Sequence, residues 1–147
     1  MDYKITTPVL DDIGGYKDLV YVKPDSKENQ RDALEQMATY FKREFKFDTL
    51  QYCKEEHQEK CTGVIFTERA MDLVETETHY PHKVIGGACF WEQESGGYTL
   101  DWIWIHPFAR NRKKLKGYWP IFKKEFGEFT LSPPISVQMS AFLAKHA

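Results

Sequence analysis

Between positions 110 and 116 the chain sets Arg110, Arg112, Lys113, Lys114 and Lys116, five cations in seven residues. Directly upstream, Tyr98 to Ile105 reads YTLDWIWI, a β-branched and aromatic run of one strand length. Pro107 has no N–H for a ladder and holds His106 extended, so the strand must end there. A strand that runs into a cationic loop and then a helix start is suited to phosphate. Outward-facing N–H groups, the helix dipole and the side-chain charges all act on the same anion. The competing reading is a solvated basic turn, but cations this crowded repel one another unless an anion lies among them.

A second set of chemical residues lies near the middle. Leu50, Cys53, His57 and Cys61 recur at spacings of three, four and four, one face of a helix expected after Asp48. With His79 and His82 they could ligate a metal. The set lacks a close Cys-x₂₋₄-Cys pair, and buried cysteine behaves as a small hydrophobe, so a plain buried face is the preferred reading and no metal is expected. Trp102 and Trp104, two apart on a strand, are read as core rather than as a base-stacking platform.

The whole-chain quantities restrict the classes. A chain of 147 residues, 41% hydrophobic and 29% charged, fits a single domain spanning 1–147, with residues 1–15 as an arm. A formal charge of −2 makes the basic loop local, which favours a small phosphate ligand over a nucleic-acid footprint. No apolar run approaches the roughly 18 residues of a membrane span. The N-terminus has no signal-peptide pattern, and three cysteines without a framework fit a reducing compartment, so the expected location is cytoplasmic. Neither nucleic acid nor membrane is expected as a partner.

The elements that must position these residues follow in order. Asp18–Val22 reads as a strand, and Asp25-Ser26-Lys27-Glu28 has the form of a capping box. Leu34, Met37, Ala38, Phe41 and Phe45 then predict a helix from Lys27 to Phe45, followed by the second helix. Gly63–Glu68 and Lys83–Gln93 are strands around a loop from Arg69 to His82. Gly86-Gly87 implies a bulge or a close neighbour, either crowding or a ligand, and Glu94-Ser95-Gly96-Gly97 is a hairpin turn. On the key strand, alternation puts Leu100, Trp102, Trp104 and His106 on one face, with Asp101, Ile103 and Ile105 on the other. Pro120 suggests a helix starting near Trp119 and ending at Gly127. Phe129–Leu131 is a short strand, and Ser136 caps a last helix carrying Met139, Phe142, Leu143 and His146.

The strand, His106-Pro107, two further residues and then Arg110-Asn111-Arg112-Lys113-Lys114-Leu115 resemble the acyl-CoA pyrophosphate loop of the GCN5-related N-acetyltransferases. That loop usually reads Gln/Arg-x-x-Gly-x-Gly/Ala; here Lys113 and Leu115 replace the small residues. The Arg-Lys-Lys run is also similar to the cohesion-establishment acetyltransferases of that superfamily. The resemblance implies an α/β (α+β) fold with a mixed, mostly antiparallel sheet, in the order β-α-α-β-β-β-α-β-α, splayed between the fourth and fifth strands. It implies an acetyl-CoA-dependent N-acetyltransferase acting on a small-molecule or peptide amine, with a catalytically inactive acyl-CoA-binding or protein-interaction module of the same fold as the alternative.

Under the same resemblance, backbone groups of Trp104, Ile105 and His106 would hold the pantetheine arm and the thioester carbonyl. Amides from Arg110, Asn111, Arg112, Lys113, Lys114 and Leu115 would receive the pyrophosphate. Without the glycines, the loop would either lie in helical geometry or rely more on its cations, and Leu115 would pack on the sheet. Asp101 is the expected general base, with Glu92 across the hairpin second. Relatives place an acidic Tyr in the last helix; Phe142 stands at that place here, leaving Ser136 or Ser140 to protonate the thiolate. A Trp-rich sheet without a closing hairpin also leaves a homodimer among the expected partners.

Overall fold

A computed structural model describes residues 8–10, 18–46, 50–69, 82–110, 114–132 and 137–146. Along the chain these form β1 (Val9–Leu10), β2 (Leu19–Val22), α1 (Glu28–Phe45), β3 (Cys61–Arg69), β4 (His82–Glu92), β5 (Tyr98–Ile105), α2 (Lys114–Phe126), β6 (Thr130–Leu131) and α3 (Val137–His146). The sheet order is β2-β3-β4-β5-β6, with β1 alongside the start of β4. Every pairing is antiparallel except β5 with β6. The expected fourth and fifth strands are therefore β5 and β6, because Val9–Leu10, within the segment read as an arm, pairs with Lys83 and His82.

The sheet separates two cores. Under α1 lie Val22, Leu34, Met37, Ile65, Trp102 and Trp104. Under α2 and α3 lie Phe66, Phe90, Trp119, Phe122 and Phe126, with Phe142 and Leu143 packed against them. Phe90 and Phe126 stack at 4.0 Å, and Phe122 is wholly buried, a burial that contributes on the order of 2–3 kcal/mol.

Two bulges break the strand alternation. On β4 the pairing jumps from Phe66–Gly86 to Thr67–Val84, leaving Ile85 extra; on β5 it jumps from Cys89–Trp102 to Phe90–Leu100, leaving Asp101 extra. The second bulge overturns the facial assignment made from alternation. Trp102 and Trp104 lie in the α1 core, whereas Leu100 joins Ile103 and Ile105 in the core under α2.

Three further expectations are corrected. The capping box from Asp25 to Glu28 does not form: Lys27 is the N-cap residue with no side-chain bond, and Ser26 Oγ instead accepts the N–H of Lys23 at 2.8 Å, closing the preceding turn. The second helix is a single 3₁₀ turn, Lys54–Glu56, flanked by extended Cys53 and His57, so Leu50, Cys53, His57 and Cys61 share no helical face. Helix α2 begins at Lys114, not near Trp119, and carries Pro120 in its interior on an exposed position. There Trp119 and Phe122, on the buried side, offset the backbone bond that proline forgoes. The interior of the loop from Arg69 to His82, residues 70–81 with His79, lies outside the described residues, and its two ends belong to β3 and β4.

The two glycines of β4 answer the question posed by their cost. A Cβ on Gly86 would lie 2.4 Å from the Trp104 carbonyl oxygen and 2.8 Å from Phe66; one on Gly87 would meet Met37 and Leu34 of α1 at 3.1 and 3.2 Å. Both positions are closed by the protein itself. Gly86→Ala should lower stability by about 3 kcal/mol, because the obstacle is backbone that cannot rotate away. Urea unfolding should show the loss as a shifted midpoint at unchanged slope, and a shift equivalent to less than about 0.5 kcal/mol would contradict the close approach.

Candidate active site

The gap beside β5 follows from its pairing. Strand β6 meets it only at Thr99–Thr130 and Leu100–Leu131, with the Ser132 N–H donating to the Leu100 carbonyl at 2.9 Å. From Asp101 onward that edge pairs with no strand among the described residues. The His106 N–H donates to Ile85 of β4 at 2.7 Å, so alternation turns the backbone groups of Trp104 and His106 toward β4 and those of Ile103 and Ile105 toward the gap. Of the three residues expected to present backbone groups, Ile105 is the one that faces outward, joined by Ile103. The Ile105 carbonyl is already taken, since Arg110 Nε donates to it at 2.7 Å.

Asp101 is the extra residue of the bulge. Its carboxyl is raised above the usual aspartate range by burial, with a hydrogen bond from the Trp91 indole opposing the shift. A partly buried carboxylate with one donor and a raised pKa is a competent proton acceptor near neutrality. Glu92, one residue beyond Trp91, is exposed and pairs with Tyr98 at the hairpin end of the sheet.

Arg110, though exposed, is folded back onto the end of α1. Its Nη1 donates to Glu44 Oε2 at 2.8 Å, its Nη2 contacts Glu44 Oε1, and the Trp104 indole donates to the same Oε1 at 2.9 Å. The guanidinium carbon lies 5.8 Å from the centre of the Trp104 ring system. Burial pulls Glu44 upward, but the bonds from Arg110 and Trp104 and the Arg110 charge outweigh it, and the carboxyl falls below its usual range. His106, edge-on to Trp104, is pushed down first by burial and then by Arg110, which favours neutral imidazole.

The rest of the basic loop divides. Asn111, Arg112 and Lys113 lie outside the described residues. Lys114 opens α2 with its ammonium 3.6 Å from Glu68 Oε2 of β3, and Lys116 is exposed. Leu115 is helical and packs against the core under α2, as its size implied. The crowded cations are thus partly answered from within, Arg110 by Glu44 and Lys114 by Glu68. Ser136 also lies outside the described residues; Ser140 is exposed on α3, and the Phe142 ring lies 5.1 Å from Trp119.

The cysteine–histidine set does not converge. Cys53 Sγ donates to Glu55 Oε2 at 3.1 Å, and its thiol is raised by that bond. Cys61 and Cys89 are buried in the α1 core, and His82 is buried on β4. His57 Nε2 lies 2.8 Å from the Cys61 carbonyl and Nδ1 lies 3.1 Å from the Tyr52 hydroxyl, so both ring nitrogens are engaged. Sequence reasoning passed over Glu44 and Trp91. Glu44 carries no signal beyond a charge beside the apolar stripe of α1, and the Trp91–Asp101 bond depends on a bulge that alternation does not reveal.

No family model matches the sequence, and no curated protein matches it. Among solved structures, it is similar to a ribosomal-protein-alanine N-acetyltransferase from Brucella melitensis biovar Abortus 2308, with a TM-score of 0.55 over 86% of each chain at 12% identity. The chain therefore shares the mixed α+β acetyltransferase fold that its sequence resembled, and no described helix is long and apolar enough to cross a membrane.

Glu44→Gln tests the node at the end of β5. The depressed Glu44 pKa means that the ion pair stabilises the fold above the ordinary carboxylate range, and that this contribution is lost as pH falls through the lower folded value. Urea midpoints measured at about pH 7 and about pH 3 should therefore fall less on acidification in the variant than in the wild type. Equal falls would mean that the pair adds no stability.

Proposed function

We propose that this chain is an acetyl-CoA-dependent N-acetyltransferase that transfers acetyl directly to a primary amine of a small molecule or peptide. The observation that carries this reading is the parting of β5 from β6 immediately after a bulge. It leaves the backbone groups of Ile103 and the Ile105 N–H facing an open edge, beside a carboxylate with a raised pKa. Extended amide groups fit a pantetheine arm, which carries amides of its own, and the bound co-substrate supplies the activated acetyl group.

This chain's residues then have distinct tasks. Asp101 accepts the proton that the attacking amine must lose, and its raised pKa matches that task better than an exposed carboxylate would. The outward amide of Ile103 or Ile105 donates to the carbonyl oxygen, where negative charge develops. Lys116 and the start of α2 favour the diphosphate. Ser140 is exposed on α3, and water can serve the departing thiolate equally well.

A second reading has its own support. Arg110 is bound to Glu44 and to the Ile105 carbonyl, and Lys114 to Glu68, which fits a module of the same fold that binds acyl-CoA without turning it over. Calorimetry with acetyl-CoA should give micromolar affinity that weakens with added salt; no binding would remove both readings. Asp101→Asn should reduce the transfer rate by about 10²–10⁴-fold at unchanged acetyl-CoA affinity. With wild type, kcat/KM should fall on acidification through a pKa above the ordinary aspartate range. An Asp101→Asn variant as active as an active wild type would remove Asp101 as the base, whereas acetyl-CoA binding without measurable transfer by the wild type would leave the binding module as the surviving reading.

A further inference from the structure

On the α1 side of the sheet, at the hairpin end of β4, the Leu50–Gln58 segment and Trp91 border an open cleft of about 740 Å³, within the size range of small-molecule sites. Had this segment been the expected helix, its side chains would have lain along the sheet; a single 3₁₀ turn holds it away instead. Its lining includes the exposed Glu55 and Glu56 and the aromatic residues Tyr52 and Trp91, and among the described residues no Lys or Arg. Of the cations near this edge, Lys54 Nζ contacts Asp32 and bonds Glu28 at 3.2 Å, Lys23 Nζ bonds the Glu59 carbonyl at 3.1 Å and Arg31 Nε bonds the Ser26 carbonyl at 3.0 Å, while the charges of Lys23 and Arg31 still help to lower the His57 pKa.

The hydrogen-bond polarity of the lining is also set. The Cys61 carbonyl can only accept, so His57 Nε2 carries the proton of the neutral ring and Nδ1 is the acceptor. The Tyr52 hydroxyl must then donate its one proton to Nδ1, leaving its oxygen able only to accept further bonds. Burial holds the His57 pKa down and the Tyr52 pKa up, so this arrangement persists at neutral pH without adding a positive charge. A wall of accepting oxygens beside two aromatic faces suits a group that is cationic, rich in N–H donors and attached to a hydrocarbon stem.

We propose that this cavity binds an alkylammonium group, with Glu55 and Glu56 and the Tyr52 oxygen accepting its N–H bonds and Trp91 receiving the cation and its methylenes. The assignment of that cation as the acetyl acceptor rests on the acetyltransferase reading. Trp91, which lines the cavity, also donates its indole N–H to Asp101, so the two sites share one side chain.

The test uses the full chain with cadaverine as the probe and 1,5-pentanediol as its neutral counterpart of equal length, read by calorimetry and by the His57 ring proton shifts. Cadaverine should bind at least about tenfold more tightly than the diol and should move the His57 resonances. The Glu55→Gln/Glu56→Gln double variant, altered at two exposed residues, should weaken cadaverine about tenfold; Tyr52→Phe, which keeps the ring, should weaken it by about fivefold. Equal affinity for diamine and diol, unmoved His57 resonances, or an unaffected double variant would each overturn the proposal. Acetyl-CoA affinity is measured separately on the same samples. Cadaverine binding without acetyl-CoA binding leaves the cation site standing and removes its role as acceptor; the converse removes the cation site alone.

Discussion

One extra residue in β5 governs most of what surrounds it. Asp101 has no partner in the register with β4, and inserting it reverses which side chains face which layer. Below it Leu100 faces α2, while above it Trp102 and Trp104 turn toward α1. Those indoles fill the space that α1 leaves over Gly87, and the absence of a side chain at Gly86 lets the Trp104 carbonyl come close. The same insertion coincides with the end of the ladder to β6. Had the strand kept strict alternation, both tryptophans would have shared a face with Leu100, and the α1 core would have been left with isoleucines too small to fill it.

Electrostatics beside this strand are more internal than local charge density suggests. Arg110 is held by two oxygens of Glu44 and by the Ile105 carbonyl, so it ties the C-terminal turn of α1 to the place where the chain leaves the sheet. A guanidinium can do this because its planar fork matches a carboxylate on one side and still presents Nε on the other; a lysine in its place would make one contact and lose the rest. The node thus fixes the end of β5 against α1 and engages the leading cation of the basic run within the protein.

Much of the fold was legible because the signals were local. The alternation of β-branched and aromatic residues marks β5 to the residue, the stripe from Leu34 to Phe45 marks α1, and Gly127, at φ 71°, ends α2 where a left-handed position was expected. The failures share a cause, which is tertiary context overriding local pattern. The spacing of Leu50, Cys53, His57 and Cys61 imitates a helix, yet Tyr52 is the buried residue and His57 spends both ring nitrogens on contacts incompatible with a continuous helix. Pro120 looked like a first-turn residue, but Lys114, Leu115 and Tyr118 have contacts of their own that start α2 earlier. Asp101 was legible as a carboxylate on the key strand, and its bond to Trp91 was not, because a bulge has no signature in the residue types alone.

The segment that failed to be a helix shapes the edge of the sheet beside Trp91. A helix laid on the sheet at this point would have covered Trp91 and Cys61 with its own side chains, leaving the end of β4 dry and closed. The 3₁₀ turn instead leaves room, and Tyr52, anchored through His57 to the first residue of β3, acts as the strut that keeps the space open. That strut holds the hydroxyl of a buried tyrosine and a half-buried imidazole, which bond each other and one carbonyl. Such a polar arrangement is poorly explained by stability, since apolar residues would seal the same edge of the core with less desolvation. Its physical consequence is an open cleft bordered by Tyr52, His57, two exposed glutamates and Trp91, whose indole N–H is shared with Asp101.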